Sequence, residues 1–94
     1  MKTKLLKRFR KQAHDSFRVV PHYAGKGYYI ETKNEYDGLM FWHRVDRYEH
    51  TERLTIQEAI ERIAELREEE FYVIAEKAIH ERQYQKRLQQ VKDL

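Results

Sequence analysis

The backbone breakers of this chain are confined to its first half, and this feature most limits how the chain can fold. The three glycines and the single proline all precede residue 39. Residues 56–94 therefore contain neither of the residue types that most often end a helix. Thr55 followed by Glu58 is the capping-box pattern that begins a helix. The sequence predicts one long helix, 55–92 with its cap, roughly 55 Å long at 1.5 Å per residue.

The packing face of this helix is marked by apolar residues at helical spacing. They are Ile56, Ala59, Ile60, Ile63, Phe71, Ile74 and Ala78. An alternative is a break at the three successive glutamates, residues 68–70. Such a break would fold the distal part back as a helical hairpin.

The first half of the chain reads as a short helix followed by three strands. The helix, within residues 1–15, is basic and has apolar residues at every fourth position: Leu5, Phe9 and Ala13. Alternating residues and turn signals predict an antiparallel meander within residues 16–46. Its predicted strands are 16–23, 28–33 and 39–45, and Asp37-Gly38 lies in the second loop.

The predicted order is α-β-β-β-α, an α+β fold with a short N-terminal helix, a three-stranded antiparallel meander and a long C-terminal helix. A chain of 94 residues makes a single small domain. Pro21 cannot donate a ladder hydrogen bond, so the first strand is expected at a sheet edge. Strands of this length span roughly 20 Å, so the distal part of the long helix should project beyond the sheet.

Composition excludes several classes of protein. The chain has no cysteine, which rules out disulfides, thiol catalysis and cysteine-based zinc sites. No apolar run approaches the roughly 20 residues of a membrane span, and the basic N-terminus lacks the apolar core of a signal peptide. We therefore expect a cytoplasmic protein with no membrane contact, whose N-terminus is mature sequence.

Charge is arranged in blocks along the chain. Residues 1–13 contain six Lys or Arg and no acid, and residues 77–92 contain five Lys or Arg against one Glu. Residues 52–70 contain seven Glu against three Arg. Such blocks favour a polyanion at one or both basic ends, or self-assembly through opposite charges. The alternative is that they are simply solvated helix faces.

Alternation along the predicted strands sorts their side chains onto two faces. The better core comprises Phe17, Val19, Pro21, Tyr28, Ile30, Thr32, Leu39, Phe41, His43 and Val45, and should meet Ile56, Ile60 and Ile63. The opposite face comprises Arg18, Val20, His22, Tyr29, Glu31, Lys33, Met40, Trp42 and Arg44. Its aromatic and basic residues suit base stacking and phosphate neutralisation, and they equally suit a protein interface. Alternatively, the N-terminal helix covers this face by placing Leu5 and Phe9 over Trp42.

The candidate nucleic-acid-binding residues combine this face with the basic helix. They are Lys4, Lys7, Arg8, Arg10, Lys11, Arg18, Tyr29, Lys33, Trp42 and Arg44. The expected ligand is DNA or RNA.

Two resemblances accompany these residues. The order helix, three strands, helix resembles double-stranded RNA-binding domains, although this chain has a longer final helix and lacks the Gly- and Lys-rich motif before it. The run "GYYIETKNEYDGLMFWHRV … TIQEAIERIAEL" resembles the arm-type DNA-binding domain of conjugative-transposon integrases. That resemblance implies a sheet that enters the major groove, with the five sheet residues of the candidate set facing DNA.

The distal half of the long helix carries a second candidate surface. Its apolar residues extend beyond the reach of a 20 Å sheet and would not stay exposed on a lone monomer. We expect a homo-oligomer or a protein partner to bind Phe71, Ile74, Ala78, Tyr84 and Leu88.

The sequence offers little for catalysis or metal binding. The histidines at positions 14, 22, 43, 50 and 80 have no helical metal-ligand spacing. Asp15 and Ser16 beside His14 or His22 resemble a nucleophile with its base, but their spacing does not constrain a geometry. We expect a protein that is not an enzyme and has no cofactor or metal.

The favoured hypothesis is a small nucleic-acid-binding accessory protein, of the kind that phages or mobile elements carry. The alternative is a protein-interaction module, an inhibitor or assembly component, acting through the long helix.

Overall fold

The fold is α+β with the order α-β-β-β-α, as predicted. The computed structural model describes residues 2–22, 25–45 and 53–94. Its elements are α1 (Lys2–Asp15), β1 (Phe17–Pro21), β2 (Tyr28–Tyr36), β3 (Leu39–Arg44) and α2 (Ile56–Lys92). α2 runs for 37 residues without a break, so the helical-hairpin alternative is wrong.

The sheet is an antiparallel meander in the order β1-β2-β3. β1 is an edge strand, which agrees with the position expected from Pro21. Asp37 and Gly38 both have positive φ, 53° and 76°, and close the second hairpin in two residues. β2 therefore continues to Tyr36, and residues 34–36, predicted from the sequence to lie in a loop, belong to the strand.

The lengthened hairpin reaches beyond the rest of the sheet. The ladder between β1 and β2 ends where Phe17 pairs with Thr32. Residues 33–36 of β2 lie beyond this ladder and pair with β3. Leu39 and Phe41, expected in the core, lie on this projecting part and are exposed. Their side chains have the predicted alternation, but the helix layer does not extend beneath them.

The core lies between the sheet and the first half of α2. Ile30, Ile63 and Leu66 are buried together, and burying such side chains stabilises a fold by about 1.5–3 kcal/mol each. Phe17, Val19, Val45 and Leu54 pack against them. Ile56 and Ile60 were expected here but are each 50% exposed, because α2 turns Ala59, Ile63 and Leu66 towards the sheet instead.

The start of α2 is tied to β2 by a short bridge. The amide of Tyr28 donates to the carbonyl of Leu54 at 2.8 Å, and the amide of Leu54 donates back at 3.0 Å. Gly27 makes this approach possible: its φ is 80°, and a Cβ there would lie 2.6 Å from the Cβ of Arg53. The next residue, Thr55, caps the helix.

α1 packs against α2 and not over the face that carries Trp42. Ala13 is buried, and Leu5 and Phe9 face the segment of α2 around Ala78. The interpretation that Leu5 and Phe9 cover Trp42 is therefore wrong. The stripe at every fourth position is the packing side of α1, but it packs on α2.

Arg67 of α2 connects three elements. Its Nε donates to the carbonyl of His14 at 3.1 Å, near the C-terminus of α1, and its Nη2 donates to the carbonyl of Phe17 at 3.3 Å, where β1 begins. A cation is stabilised beside the unpaired carbonyls of a helix C-terminus. Beside this contact, Arg10 pairs with Glu68 at 3.0 Å and lies 4.0 Å from the ring centroid of Phe71.

We predict that Thr55→Ala lowers the free energy of unfolding by about 1 kcal/mol, the usual cost of removing an N-cap. The Thr55 hydroxyl accepts from the amide of Glu58 at 3.2 Å, and the Glu58 carboxylate accepts from the amide of Thr55 at 3.1 Å. Urea denaturation measures the change, and Gln85→Ala on the exposed distal helix is the control. An unchanged unfolding midpoint for Thr55→Ala would contradict the cap.

The cap should also depend on pH. Hydrogen bonds from the backbone and side chain of Thr55 lower the pKa of Glu58 below its ordinary value. The stabilisation is therefore fully present above that ordinary pKa and is lost as the pH falls through the lowered pKa. Glu58→Gln should remove this acid-range component of stability.

We predict that Arg67→Met lowers the free energy of unfolding by about 2 kcal/mol, because hydrogen bonds from a charged donor typically contribute 1.5–3 kcal/mol. Methionine keeps an aliphatic stem against α1 but cannot donate to His14 or Phe17. Hydrogen exchange should show earlier exchange of the α1 amides. The control is Arg62→Met, whose pair with Glu65 lies on one exposed helix face and contributes a few tenths of a kcal/mol. Equal losses in the two variants would refute the special role of Arg67.

Candidate functional site

The candidate site is the sheet surface that faces away from the helices, called here the outer face. Val19, Ile30 and Val45 point towards α2, so the residues that alternate with them point outward. α1 packs on α2 and approaches the sheet at β1, and Gln12 and Asp15 in its last turn line an open crevice beside Lys33, Glu35 and Met40. The outer face comprises Arg18, Val20, His22, Tyr29, Glu31, Lys33, Glu35, Met40, Trp42 and Arg44.

Two guanidinium groups lie over two aromatic rings on the outer face. The Arg18 carbon Cζ lies 4.1 Å from the Trp42 ring centroid, and the Arg44 Cζ lies 4.1 Å from the Tyr29 centroid. The Lys33 ammonium lies 5.9 Å from the Trp42 centroid. Each exposed contact of this type contributes about 0.5–1 kcal/mol. The five sheet residues of the candidate set therefore form one group of two neighbouring stacks, Trp42 with Arg18 and Lys33, and Tyr29 with Arg44.

Glu31 lies at the centre of this group. The strand register places it opposite Arg18 on β1 and opposite Arg44 on β3. Its Oε1 accepts from the Arg18 Nε at 2.7 Å and from the Nη2 at 2.6 Å, and the carboxylate side chain is 15% exposed. Strand alternation predicts Glu31 on this face but gives it no role. The signal that would assign one is the strand register, because an acid directly opposite cations on both neighbouring strands is expected to pair with one of them.

His22 does not add positive charge to the outer face at neutral pH. Its pKa is lowered, first by desolvation and then by the nearby charges of Arg53 and Arg44. Its ring meets Tyr29 edge-on, with 6.1 Å between the centroids. The permanent charges of the face are then Arg18, Lys33 and Arg44 against the carboxylates of Glu31 and Glu35.

The basic residues of α1 do not join this group. Lys4, Lys7, Arg8 and Lys11 are exposed on a helix of the opposite layer, and Arg10 is paired with Glu68. The ten candidate residues thus fall into two sets on different layers. The sequence could show that both sets are basic, but it could not show that the sheet separates them.

The candidate partner surface on α2 is also divided. Phe71 is 7% exposed because α1 covers it, with Arg10 lying over its ring. Ile74 and Ala78 are half-buried. Tyr84 is 60% exposed, and Leu88 is exposed on the overhanging part of the helix. α1 thus provides, over part of this stripe, the cover that the sheet is too short to give, and leaves Tyr84 and Leu88 uncovered.

The possible catalytic residues do not form an activated group. The Ser16 hydroxyl donates to the carbonyl of Gln12 at 2.7 Å, and the Nδ1 of His14 lies 3.3 Å from the adjacent Asp15 carboxylate. These are local contacts at the end of α1. Within residues 2–22, 25–45 and 53–94, no three acidic or histidine side chains gather as metal ligands would. His50 lies outside the described residues.

Comparisons of the chain with protein families, with curated proteins and with solved structures found no significant match. The two resemblances noted in the sequence therefore rest on element order and residue pattern alone. In the part of the chain that the structure describes, neither helix combines the length and the apolarity that crossing a bilayer requires.

Proposed function

We propose that the protein binds nucleic acid through the outer face by stacking unpaired bases on it. The observation that carries the proposal is the pair of ring–guanidinium stacks, Trp42 with Arg18 and Tyr29 with Arg44. Unpaired bases stack both on aromatic rings and on guanidinium planes. A planar cation that already rests on a ring offers its plane to a base and its N–H edge to a phosphate.

The charge of the outer face favours stacking over phosphate neutralisation. Three cations face two carboxylates, and Glu31 already binds Arg18. A surface that bound duplex backbone mainly by charge would need many more uncompensated cations. We therefore propose single-stranded DNA or RNA as the ligand, and confine the interface to Arg18, Tyr29, Lys33, Trp42 and Arg44.

The two stacks are separated along the sheet. Trp42 is opposite Lys33, four residues along β2 from Tyr29, which corresponds to roughly 13 Å at 3.3 Å per residue. A bound single-stranded nucleic acid would therefore run across β2 and β3 and contact one stack at each end of this span. The low charge and the open surface both suit a ligand that is read by its base planes.

We predict that Trp42→Ala weakens binding of a single-stranded oligonucleotide by about 1–3 kcal/mol without changing its salt dependence, because stacking releases no counterion. Arg44→Ala should weaken binding and also flatten the plot of log affinity against log salt by about 0.7, the value for one phosphate contact on a single strand. Fluorescence anisotropy over a salt series measures both quantities.

Arg62→Ala, on α2 behind the sheet, is the matched control and should leave both the affinity and the slope unchanged. A duplex of the same sequence should bind more weakly than the single strand. If neither DNA nor RNA binds at about 50 mM salt, where phosphate contacts are strong, the proposed function fails.

We predict that Glu31→Gln strengthens binding. The substitution keeps the side-chain size but removes the charge that holds Arg18, so this guanidinium becomes available to a phosphate. The salt dependence should steepen by about 0.7 if Arg18 gains one contact on a single strand. Glu35→Gln removes a charge from the same face near Met40, away from the Arg18 pair, and controls for net charge alone. A weaker complex in Glu31→Gln would mean that Glu31 positions Arg18 for the ligand.

The second candidate function is a protein-interaction module that uses the distal end of α2, where the helix extends past α1. α1 and α2 line a shared apolar crevice that ends near Lys86, and beyond it Val91 is exposed on the last turns of α2. Tyr84 and Val91 lie on one side of the helix, seven residues apart. Because this surface is remote from the sheet, Arg44→Ala should leave it intact, which separates the two functions experimentally.

A further inference from the structure

One row of side chains along α2 packs against α1 over its central and C-terminal parts and is bare at its N-terminal end. The row runs through residues 60, 64, 67, 71, 75, 78 and 82, which are three or four apart and so lie on one side of the helix. Arg67 and Phe71, near its centre, contact α1. The N-terminal end of the row is therefore uncovered, its C-terminal end is only partly covered by α1, and both ends face the same way.

The C-terminal end of the row opens into an apolar crevice between the helices, with a volume of about 450 Å³. Leu5, Leu6 and Phe9 of α1 form one wall. Ala75, Ala78 and Ile79 of α2 form the other, and Arg82 and Lys86 lie at its outer end. Leu6 is 47% exposed and Ile79 is 56% exposed, so the walls are not closed on each other. The crevice has an apolar floor and a basic rim.

The N-terminal end of the row is an acidic strip with an apolar centre. Ile56 and Ile60 are half-exposed, and Ala64 in the next turn is exposed. Glu61 and Glu65 flank them and are also exposed. Glu61 accepts from the Gln57 side chain at 3.2 Å, which keeps its carboxylate beside the strip.

We propose that two copies of the chain associate with their α2 helices antiparallel, the acidic strip of each docking on the apolar crevice of the other. The strip and the crevice are centred about 20 residues apart on one side of α2, or roughly 30 Å at 1.5 Å per residue. Reversing the direction of a second copy brings each strip onto a crevice at the same time. The contact is isologous and closes after two copies.

Charge complementarity identifies the second copy as the occupant. Residues 57–70 of α2 contain six Glu against two Arg, whereas residues 77–92 contain five Lys or Arg against one Glu. An antiparallel pair places the acidic half of each α2 near the basic half of the other, and near the cations of α1. A parallel pair would place like charges together. A nucleic acid could satisfy the basic rim, but it would leave the apolar strip and its glutamates unpartnered.

The assembly does not depend on the proposed function. The strip and the crevice belong to the helix layer, so the outer faces of both copies remain open. Loss of nucleic-acid binding and loss of assembly are therefore separate outcomes.

The test is a charge exchange, measured on the full chain by sedimentation equilibrium over a range of micromolar concentrations. Glu61→Lys places two like-charge contacts in the dimer, as does Arg82→Glu, because the antiparallel register brings Glu61 of each copy within about one helical turn of Arg82 of the other. Each should weaken the dimer by about tenfold or more. An equimolar mixture of the two variants can form a heterodimer in which both contacts are attractive, and it should recover the affinity of the unchanged chain. The double variant Glu61→Lys with Arg82→Glu should recover it too.

Glu69→Lys is the matched control, because it makes the same charge change on an exposed position of α2 away from the row, and it should not alter the dimer. Circular dichroism should confirm that every variant retains its helix content. An unchanged chain that sediments as a monomer at high micromolar concentration overturns the proposal. So does a dimer that both single variants leave unaltered, or a mixture that fails to recover.

Discussion

The arrangement of the molecule depends on the hydrogen bonds that Arg67 donates to two backbone carbonyls. One carbonyl, of His14, lies near the C-terminus of α1 and the other, of Phe17, begins β1. Partial burial lowers the pKa of Arg67 and Asp15 opposes that shift, but a guanidinium remains charged at any ordinary pH. Because α1 and β1 are joined at Ser16, holding both carbonyls on α2 determines which side of the sheet α1 occupies. The outer face is open as a consequence.

Local patterns predicted the elements because their physical causes are local. The capping box at Thr55, the absence of breakers after it and the positive φ available to Asp37-Gly38 each act within a few residues. The extent of β2 was missed because Asn34, Glu35 and Tyr36 resemble loop residues in composition, whereas the two-residue turn extends the ladder through them.

Which surfaces meet was predictable only in part. The stripe of Leu5, Phe9 and Ala13 shows that α1 has an apolar side, but periodicity does not say which surface covers it. Arg67 stands in an acidic block and looks like one more solvated charge in the sequence. Its role appears only when the chain brings two carbonyls, fifty or more residues distant, within reach of one side chain.

The same limit applies to the candidate site. Alternation alone gathers Trp42, Tyr29 and the cations onto one face, because strand geometry has a strict period of two. Predicting the pairing of Glu31 with Arg18 also requires the strand register. This pairing changes the interpretation of the face. The surface that looks basic in sequence carries nearly equal numbers of positive and negative charges, and planar groups are stacked on it. Rings and guanidinium planes attract bases irrespective of sequence, so this face suits tolerant recognition of a single strand.

The helix layer carries the blocks of like charge, for which we propose a different use. Arg82 and Lys86 of distal α2 lie at the outer end of an apolar crevice, and Glu61 and Glu65 of proximal α2 flank an apolar strip. Charges beside an apolar surface determine the orientation in which a partner binds, whereas the burial of apolar area supplies most of the affinity. The helix layer and the outer face lie on opposite sides of the sheet, so the two proposed kinds of recognition use different surfaces. In an antiparallel pair of chains, the acidic and basic blocks of the helix layer would pair with each other. The two outer faces would remain exposed, each with its own pair of stacks. A single strand long enough to reach both would then bind more tightly than either face alone, since the second contact is made at a high effective concentration.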